Sequence, residues 1–206
     1  MVDPISRPEA VRRQAELFTA PSHAAARGLI GWTLTMDGVG GRIVETEAYH
    51  FEDPASHSFS GPTVRNAVMF GPPGVIYVYR SYGIHWCMNL VCGPTPGSAV
   101  LIRALEPTAG LDLMIVRRGL EDPRRLCSGP GRLCEALGVT HEQNGLRIDE
   151  PPFALEPGPA AGVLVGPRIG ITKAVDVPWR FGEAGSRYLS KPFPKALAPP
   201  QQARTP

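Results

Sequence analysis

Lysine is scarce in this 206-residue chain. Of its 21 basic residues, 18 are arginines, and only Lys173, Lys191 and Lys195 are lysines. Chemistry that runs through a lysine imine needs an amine in the site, and none occurs before Lys173. There is no run of about 18 apolar residues to span a bilayer, and the first residues lack the basic-then-apolar order of a secretory signal. A cytoplasmic protein with no membrane partner is therefore expected. The cysteines Cys87, Cys92, Cys127 and Cys134 form no C-x-x-C pair, and His23, His50, His57, His85 and His141 are scattered. No zinc spacing results, so no metal is expected and the thiols read as reduced, buried and inert. Neither G-x-S-x-G nor the dinucleotide fingerprint occurs, which argues against a serine hydrolase and a Rossmann oxidoreductase. The net charge of +2 does not by itself identify a nucleic-acid binder. The arginine bias suits phosphate oxygens and ring stacking, although a GC-rich genome produces the same bias.

Glycine and proline are plentiful, at 23 residues each, which favours short strands and many turns over a helical bundle. The chain is long enough for one sizeable core, and no internal repeat or domain boundary is visible. Periodicity predicts helices over 8–18 and 24–30 and a hairpin of strands 32–36 and 42–49 around Asp37-Gly38, loosened by Gly40-Gly41. Along the second strand, Val44, Thr46 and Ala48 point one way and Ile43, Glu45, Glu47 and Tyr49 the other. A Pro-, Gly- and Ser-rich loop over 50–73 precedes strands 75–80 and 85–92, joined by a turn that leaves Tyr82 at its tip. Val75, Tyr77 and Tyr79 share one face of the first, and His85, Cys87 and Asn89 one face of the second. Strand 99–105 reads as buried on both sides, so Arg103 within it needs a partner. A helix is expected from Pro107 to Arg118, and another over 132–137 opened by Ser128-Gly129-Pro130. The free N–H groups of that second start, with Ser128 and Arg132, are either a phosphate seat or merely a good helix start. Residues 150–159 read as a Pro-rich connection, and 163–165 and 168–172 as late strands. From Lys191 to Pro206 the composition is that of a disordered basic tail, which leaves 1–190 as the domain.

The most informative stretch is Glu45-Thr46-Glu47-Ala48-Tyr49, followed by His57 and then by Tyr77, Tyr79 and Tyr82. It gathers a carboxylate, an imidazole and several aromatic faces. An aromatic wall that desolvates Glu47 would raise its pKa and let it take a proton from water; the plain alternative is an exposed glutamate paired with an arginine. A flat ligand held between rings, beside a protruding aromatic residue, is equipment for extruding a base from a duplex.

The blocks 41–49, 55–58, 65–66, 69–70, 77–79, 82–83, 87–89, 101–107 and 126–130 resemble, in order and spacing, the 3-methyladenine DNA glycosylases of the alkyladenine type, over roughly residues 20 to 190. The resemblance implies an α+β single domain around a curved, mostly antiparallel sheet. It also implies excision of alkylated or deaminated purines from double-stranded DNA by a monomer that uses no cofactor; in a bacterium that places the protein on the nucleoid. By the same resemblance Glu47 is the general base, Tyr49, His57 and Tyr79 hold the flipped base, and Asn89 rejects the 2-amino group of guanine. Tyr82 intercalates, and Arg103 supports the pocket and a phosphate. Arg65 is the only basic residue in the stretch 58–69, where the family tends to carry more, so weaker and less salt-dependent DNA binding is expected. A non-catalytic binder of damaged bases and a purine nucleoside hydrolase remain as alternatives; the Tyr82 tip argues against the second and Glu47 against the first.

Overall fold

The computed structural model describes residues 6–159 and 162–194. The chain begins with α1 (Arg7–Thr19) and α2 (Ser22–Gly28), then a hairpin of β1 (Thr33–Met36) and β2 (Val39–Tyr49). Next come β3 (Ile76–Ser81), β4 (His85–Val91) and β5 (Ala99–Ala109), and the helices α3 (Leu111–Arg118), α4 (Pro123–Leu126) and α5 (Pro130–Leu137). The strands β6 (Phe153–Glu156), β7 (Val163–Gly166) and β8 (Arg180–Glu183) follow. All strand pairings are antiparallel, in the order β3-β4-β5-β2-β1-β6, with β8 pairing both β2 and β7. This is the α+β fold with a curved sheet that the family resemblance implies.

β2 organises the sheet. One side lies along β5; the other pairs first with β1 at Val39–Arg42 and then with β8 at Glu45–Glu47. The register against β5 shifts between Ile43 and Glu45 and again between Glu45 and Thr46, and such irregularities bend a strand. They also break the expected alternation. Ile43 joins Ala48 in the main core, while Glu45 and Glu47 meet Arg103. The hairpin turn is tight, with Asp37 and Gly38 both at positive φ (49° and 76°), the geometry that favours Asp-Gly. Gly40 and Gly41 do not loosen it: they lie within β2, where a Cβ would run into the carbonyls of Leu34 and Glu106. The irregularity they were expected to cause appears on the β5 side instead.

The main core lies between the sheet and the helices and includes Leu29, Leu34, Ile76, Met88, Ile102, Leu105 and Leu133, with α2 packed on β2 and α5 on β4. On the other face Met69, Val75, Tyr77, Val91 and Ala99 form a smaller cluster, with Tyr79 against it. The expected alternation of β3 and β4 is therefore observed, and its tyrosine face points away from the helices.

Several expected elements differ. Pro107 does not start a helix but pairs with Gly41 inside β5, and α3 begins after Gly110 at φ 68°. β4 covers β5 only at Ala99–Leu101, so Pro107 sits where one edge has no strand and its missing N–H breaks no ladder. The Pro-rich connection 150–159 contains β6, whose Phe153 and Leu155 are buried against β1. The loop 50–73 contains a 3-10 turn at Ala67–Phe70, and α4 was not foreseen. Residues 168–172 form no strand; their polar groups are used elsewhere, as described below. Lys191 to Pro194, expected in the tail, pack onto β8: the Lys191 carbonyl accepts from Arg180, and the Phe193 ring lies 4.0 Å from the Arg180 guanidinium. An apolar ring with a bare glycine, Gly182, beneath it supplies an anchor that composition alone hides. The rest of the expected tail, 195–206, lies outside the described residues.

Candidate active site

Glu47 is fully buried. Its Oε1 accepts from the Ile169 backbone N–H at 2.7 Å, and its Oε2 accepts from the Tyr49 hydroxyl at 2.9 Å. Nη1 of Arg103 lies 3.2 Å from Oε2. Burial pushes the Glu47 pKa above the usual carboxylate range, although Arg103, the Ile169 N–H and the Tyr49 hydroxyl all pull it down. Desolvation outweighs these because the carboxylate is shielded from bulk solvent.

Arg103 is shared between two carboxylates, as its Nε donates to Glu45 at 2.9 Å. Glu45 also receives Arg180 Nε at 2.8 Å and the Ser190 hydroxyl at 2.7 Å. Two buried acids thus face two buried guanidiniums, with hydrogen bonds closing the cluster, and this is the condition under which buried charge is tolerated. Arg103 has the partner that its place in a buried strand demanded.

Beside this cluster is a cavity of ≈ 620 Å³, lined by Tyr49, His57, Tyr79, Asn89 and Arg103, with Arg65 and Tyr82 also on its wall. Seven residues singled out in the sequence therefore meet in one hollow. Glu47 is not itself on the lining; its neighbours Tyr49, Arg103 and Ile169 are, so the carboxylate lies directly behind them. The His57 and Tyr79 rings meet edge-on at 4.5 Å between centroids, and Tyr77 stacks on Tyr79 at 5.6 Å. His57 Nδ1 is 3.2 Å from the Tyr77 hydroxyl, and burial, then Arg65, lowers its pKa, so the ring is held neutral. Burial pushes the Tyr49 and Tyr79 phenols up, which keeps them as donors. The Asn89 amide nitrogen donates to the Tyr77 carbonyl at 3.1 Å and fixes that side chain against the wall.

Tyr82 is 88% exposed at the β3–β4 tip, with φ 49°. A large aromatic residue held in a left-handed turn and left in water is costly on two counts. Ser128 and Arg132 do not join the hollow. Arg132 turns back onto the Ser128 carbonyl and hydroxyl at 3.3 and 3.2 Å, and only Pro130 between them touches the cavity.

Sequence reasoning missed the wall formed by Ile169, Gly170, Ile171, Thr172 and Lys173; Arg80 also lines the hollow, although alternation along β3 would set it opposite Tyr79. Ile169 to Thr172 alternate like a strand, but the Ile169 N–H goes to Glu47 rather than to a ladder. A buried carboxylate in need of donors was the available signal. All four thiols are buried; Cys87 lines the hollow, and burial raises its pKa. Among the described residues no group of three or more His, Cys, Asp or Glu is placed to hold a metal ion, and no helix is long and apolar enough to cross a membrane.

Comparison with known proteins adds an independent line. The sequence model of the Methylpurine-DNA glycosylase family matches residues 16–187. A protein of Nitrosospira multiformis is 66% identical over 178 residues, covering 85% of this chain and 92% of its own length. One of Rhodopseudomonas palustris (strain BisB18) is 64% identical, covering 85% and 89%. One of Granulibacter bethesdensis is 59% identical, covering 84% of each. All three carry the name "Putative 3-methyladenine DNA glycosylase".

Proposed function

The chain belongs to the methylpurine-DNA glycosylase family, and from that premise we propose that it hydrolyses the N-glycosidic bond of alkylated or deaminated purines in double-stranded DNA. The observation that carries this reading is a buried carboxylate, Glu47, with a raised pKa behind an aromatic hollow whose rim bears the exposed Tyr82. The enzyme acts as a monomer, and the domain does the chemistry, its end extended from the expected residue 190 by the packing of Lys191 to Pro194 on β8.

The damaged nucleotide swings out of the duplex and its base enters between Tyr49, His57 and Tyr79, while Tyr82 fills the gap. Base stacking of about 1–3 kcal/mol per ring offsets an unstacking cost of a few kcal/mol. Asn89 sits where the 2-amino group of guanine would press. A carboxylate has about four lone-pair sites, so Glu47 can accept a water where Tyr49, Arg103 and Ile169 meet. Glu47 takes a proton from that water as its oxygen attacks C1′. The bonding pair of the C1′–N bond leaves with the base, and the negative charge beside the sugar stabilises the oxocarbenium character that develops. Arg103 favours the ionised form of the carboxylate against the effect of burial, and Arg65 meets the backbone phosphates. Ser128 and Arg132 reach a phosphate only if Arg132 releases its present partners.

The reaction stops at an intact abasic site. Lys173 lies on the hollow, but it is exposed. Lysine nucleophiles are made reactive by desolvation, and an exposed ammonium at the rim suits a phosphate instead.

A labelled duplex with one hypoxanthine or ethenoadenine, incubated with wild type and with Glu47→Gln and then treated with alkali, tests the reading. Cleavage by wild type alone is expected. Retention of the duplex without cleavage by both proteins would indicate a binder, and release from the free nucleoside but not the duplex a nucleoside hydrolase. Strand cleavage trapped by borohydride would overturn the monofunctional assignment.

A further inference from the structure

The two walls of the hollow come from stretches far apart in sequence. Pro54, Ala55, Ser56 and His57 form one, and Ile169 to Lys173 form much of the other. Each wall follows directly after one member of a buried ion pair, Asp53 before Pro54 and Arg168 before Ile169. The two side chains are almost wholly shielded, at 2% and 0% exposure. Nη1 and Nη2 of Arg168 grip the two carboxylate oxygens, Nη2 to Oδ1 at 3.1 Å, and Nη1 also donates to the Ala48 carbonyl at 3.0 Å. Asp53 Oδ1 accepts in addition from Ala55 N–H at 3.0 Å, which sets the start of its wall.

The guanidinium also lies over two rings, 4.8 Å from the Tyr49 centroid and 5.5 Å from that of Trp179. Among the described residues its Nε has no hydrogen-bond partner although it is buried. Such orphans are uncommon and call for a reason. Here the plane of the guanidinium is set by the rings and by the bidentate grip, and both need a flat fork rather than an ammonium. Behind the Tyr49 ring this fork fixes the residue whose hydroxyl donates to Glu47, and one residue later the chain delivers the Ile169 N–H to the same carboxylate.

We propose that Asp53 and Arg168 are positioning residues: they form a latch that sets the spacing of the two cavity walls and holds both the Tyr49 hydroxyl and the Ile169 N–H on Glu47. Neither touches the substrate. This inference rests on the function proposed above in so far as Glu47 is the base. The charged and titratable groups that face Glu47 are Arg103 from β5, Tyr49 and Glu45 from β2, Tyr79 from β3 and Cys87 from β4. The latch acts through the tyrosine and through a backbone donor, and it leaves the others in place.

Wild type, Arg168→Lys, Asp53→Asn and the double variant are compared by single-turnover excision of hypoxanthine from a duplex across pH, by affinity for an undamaged duplex, and by hydrogen exchange of the 167–174 segment. Arg168→Lys keeps the charge but loses the fork. It is expected to slow excision at saturating enzyme by about 10- to 100-fold, the range for misplaced catalytic geometry, and to move the acid limb to higher pH as Glu47 loses donors. Affinity for undamaged duplex should change less than about threefold, since neither residue lies on the surface. The Ile169 amide should exchange faster. Asp53→Asn should reproduce the displaced limb, and the double variant should be no worse than the worse single one, because partners in one interaction do not add. Excision with an unmoved acid limb, additive losses, or an Ile169 amide as protected as in wild type would overturn the proposal. If Arg168→Lys fails to fold, Asp53→Asn decides by the same measures. A folded wild type that releases no base would sink the glycosylase reading alone, and the latch would then stand or fall on the exchange data.

Discussion

The Tyr49 hydroxyl donates to Oε2 of Glu47 across 2.9 Å, from two positions further along the same face of β2. A donor at that point favours the ionised acid, and here it works against burial, which pushes the pKa up. With Glu47 as the proposed base, activity is expected to fall as pH drops through a value higher than an ordinary glutamate would show, because the base form exists only above the folded pKa. Tyr49→Phe removes the donor. A hydrogen bond to a charged group is worth about 1.5–3 kcal/mol, which moves the acid limb of single-turnover excision up by about one pH unit or more. A limb at the wild-type position in the phenylalanine variant would show that the bond does not tune the base.

The raised pKa also makes a statement about stability. Between the unfolded value of about 4.3 and the higher folded one, the native state binds more protons than the unfolded state, so stability falls as pH rises through that window. Above it, the ionised Glu47 is a standing cost. Glu47→Gln should therefore be inactive yet melt at or above the wild-type temperature at neutral pH, with the difference vanishing below about pH 4. A neutral-pH melting temperature several degrees below wild type would mean that pairing with Arg103 outweighs desolvation.

Tyr82 stabilises nothing visible in the fold, being 88% exposed at positive φ. Tyr82→Gly should leave stability within about 1 kcal/mol of wild type, since glycine adopts that φ freely. Excision from duplex DNA should drop roughly tenfold to a hundredfold, as expected for losing one stacked ring, and excision from a single-stranded lesion should drop much less. Equal losses on both substrates would remove the wedge from the account.

Asn89 is held by the Tyr77 carbonyl at 3.1 Å on a buried wall. Asn89→Ala should raise excision of unmodified guanine relative to hypoxanthine by about 1–3 kcal/mol of discrimination, the range for a single small group in a pocket. The measurement is the ratio of the two single-turnover rates, and an unchanged ratio would assign the selectivity to another residue.

Much of the architecture was legible along the chain because it is governed by local rules. The Asp37-Gly38 turn, the two-residue periodicity of β3 and β4, and the helix bounded by Pro130 and Gly138 follow from backbone preference and alternating burial. Tyr77 and Tyr79 on one face of β3, and Cys87 and Asn89 on one face of β4, needed nothing more; the strand register then sets them side by side. The errors lie where a distant partner overrode a local preference. Pro107 extends a strand because no neighbour needs its N–H, Ile43 joins the core because a register shift intervenes, and 168–172 gives up a strand because a buried carboxylate and Asp53 claim its donors.

The amino-acid order by itself determined which side chains share a face along β3 and β4 and from Glu45 to Tyr49 of β2, and so that the rings would stand together and the acid beside its tyrosine. Only the folded chain decided that Glu47 would be buried, that Arg103 would be divided between two acids, and that Arg168 would lie over the Tyr49 ring. Periodicity is a property of neighbours a few residues apart. Desolvation and ion pairing depend on groups brought close from more than 50 positions away, such as Arg103 with Glu45 at 58 residues and Arg168 with Asp53 at 115.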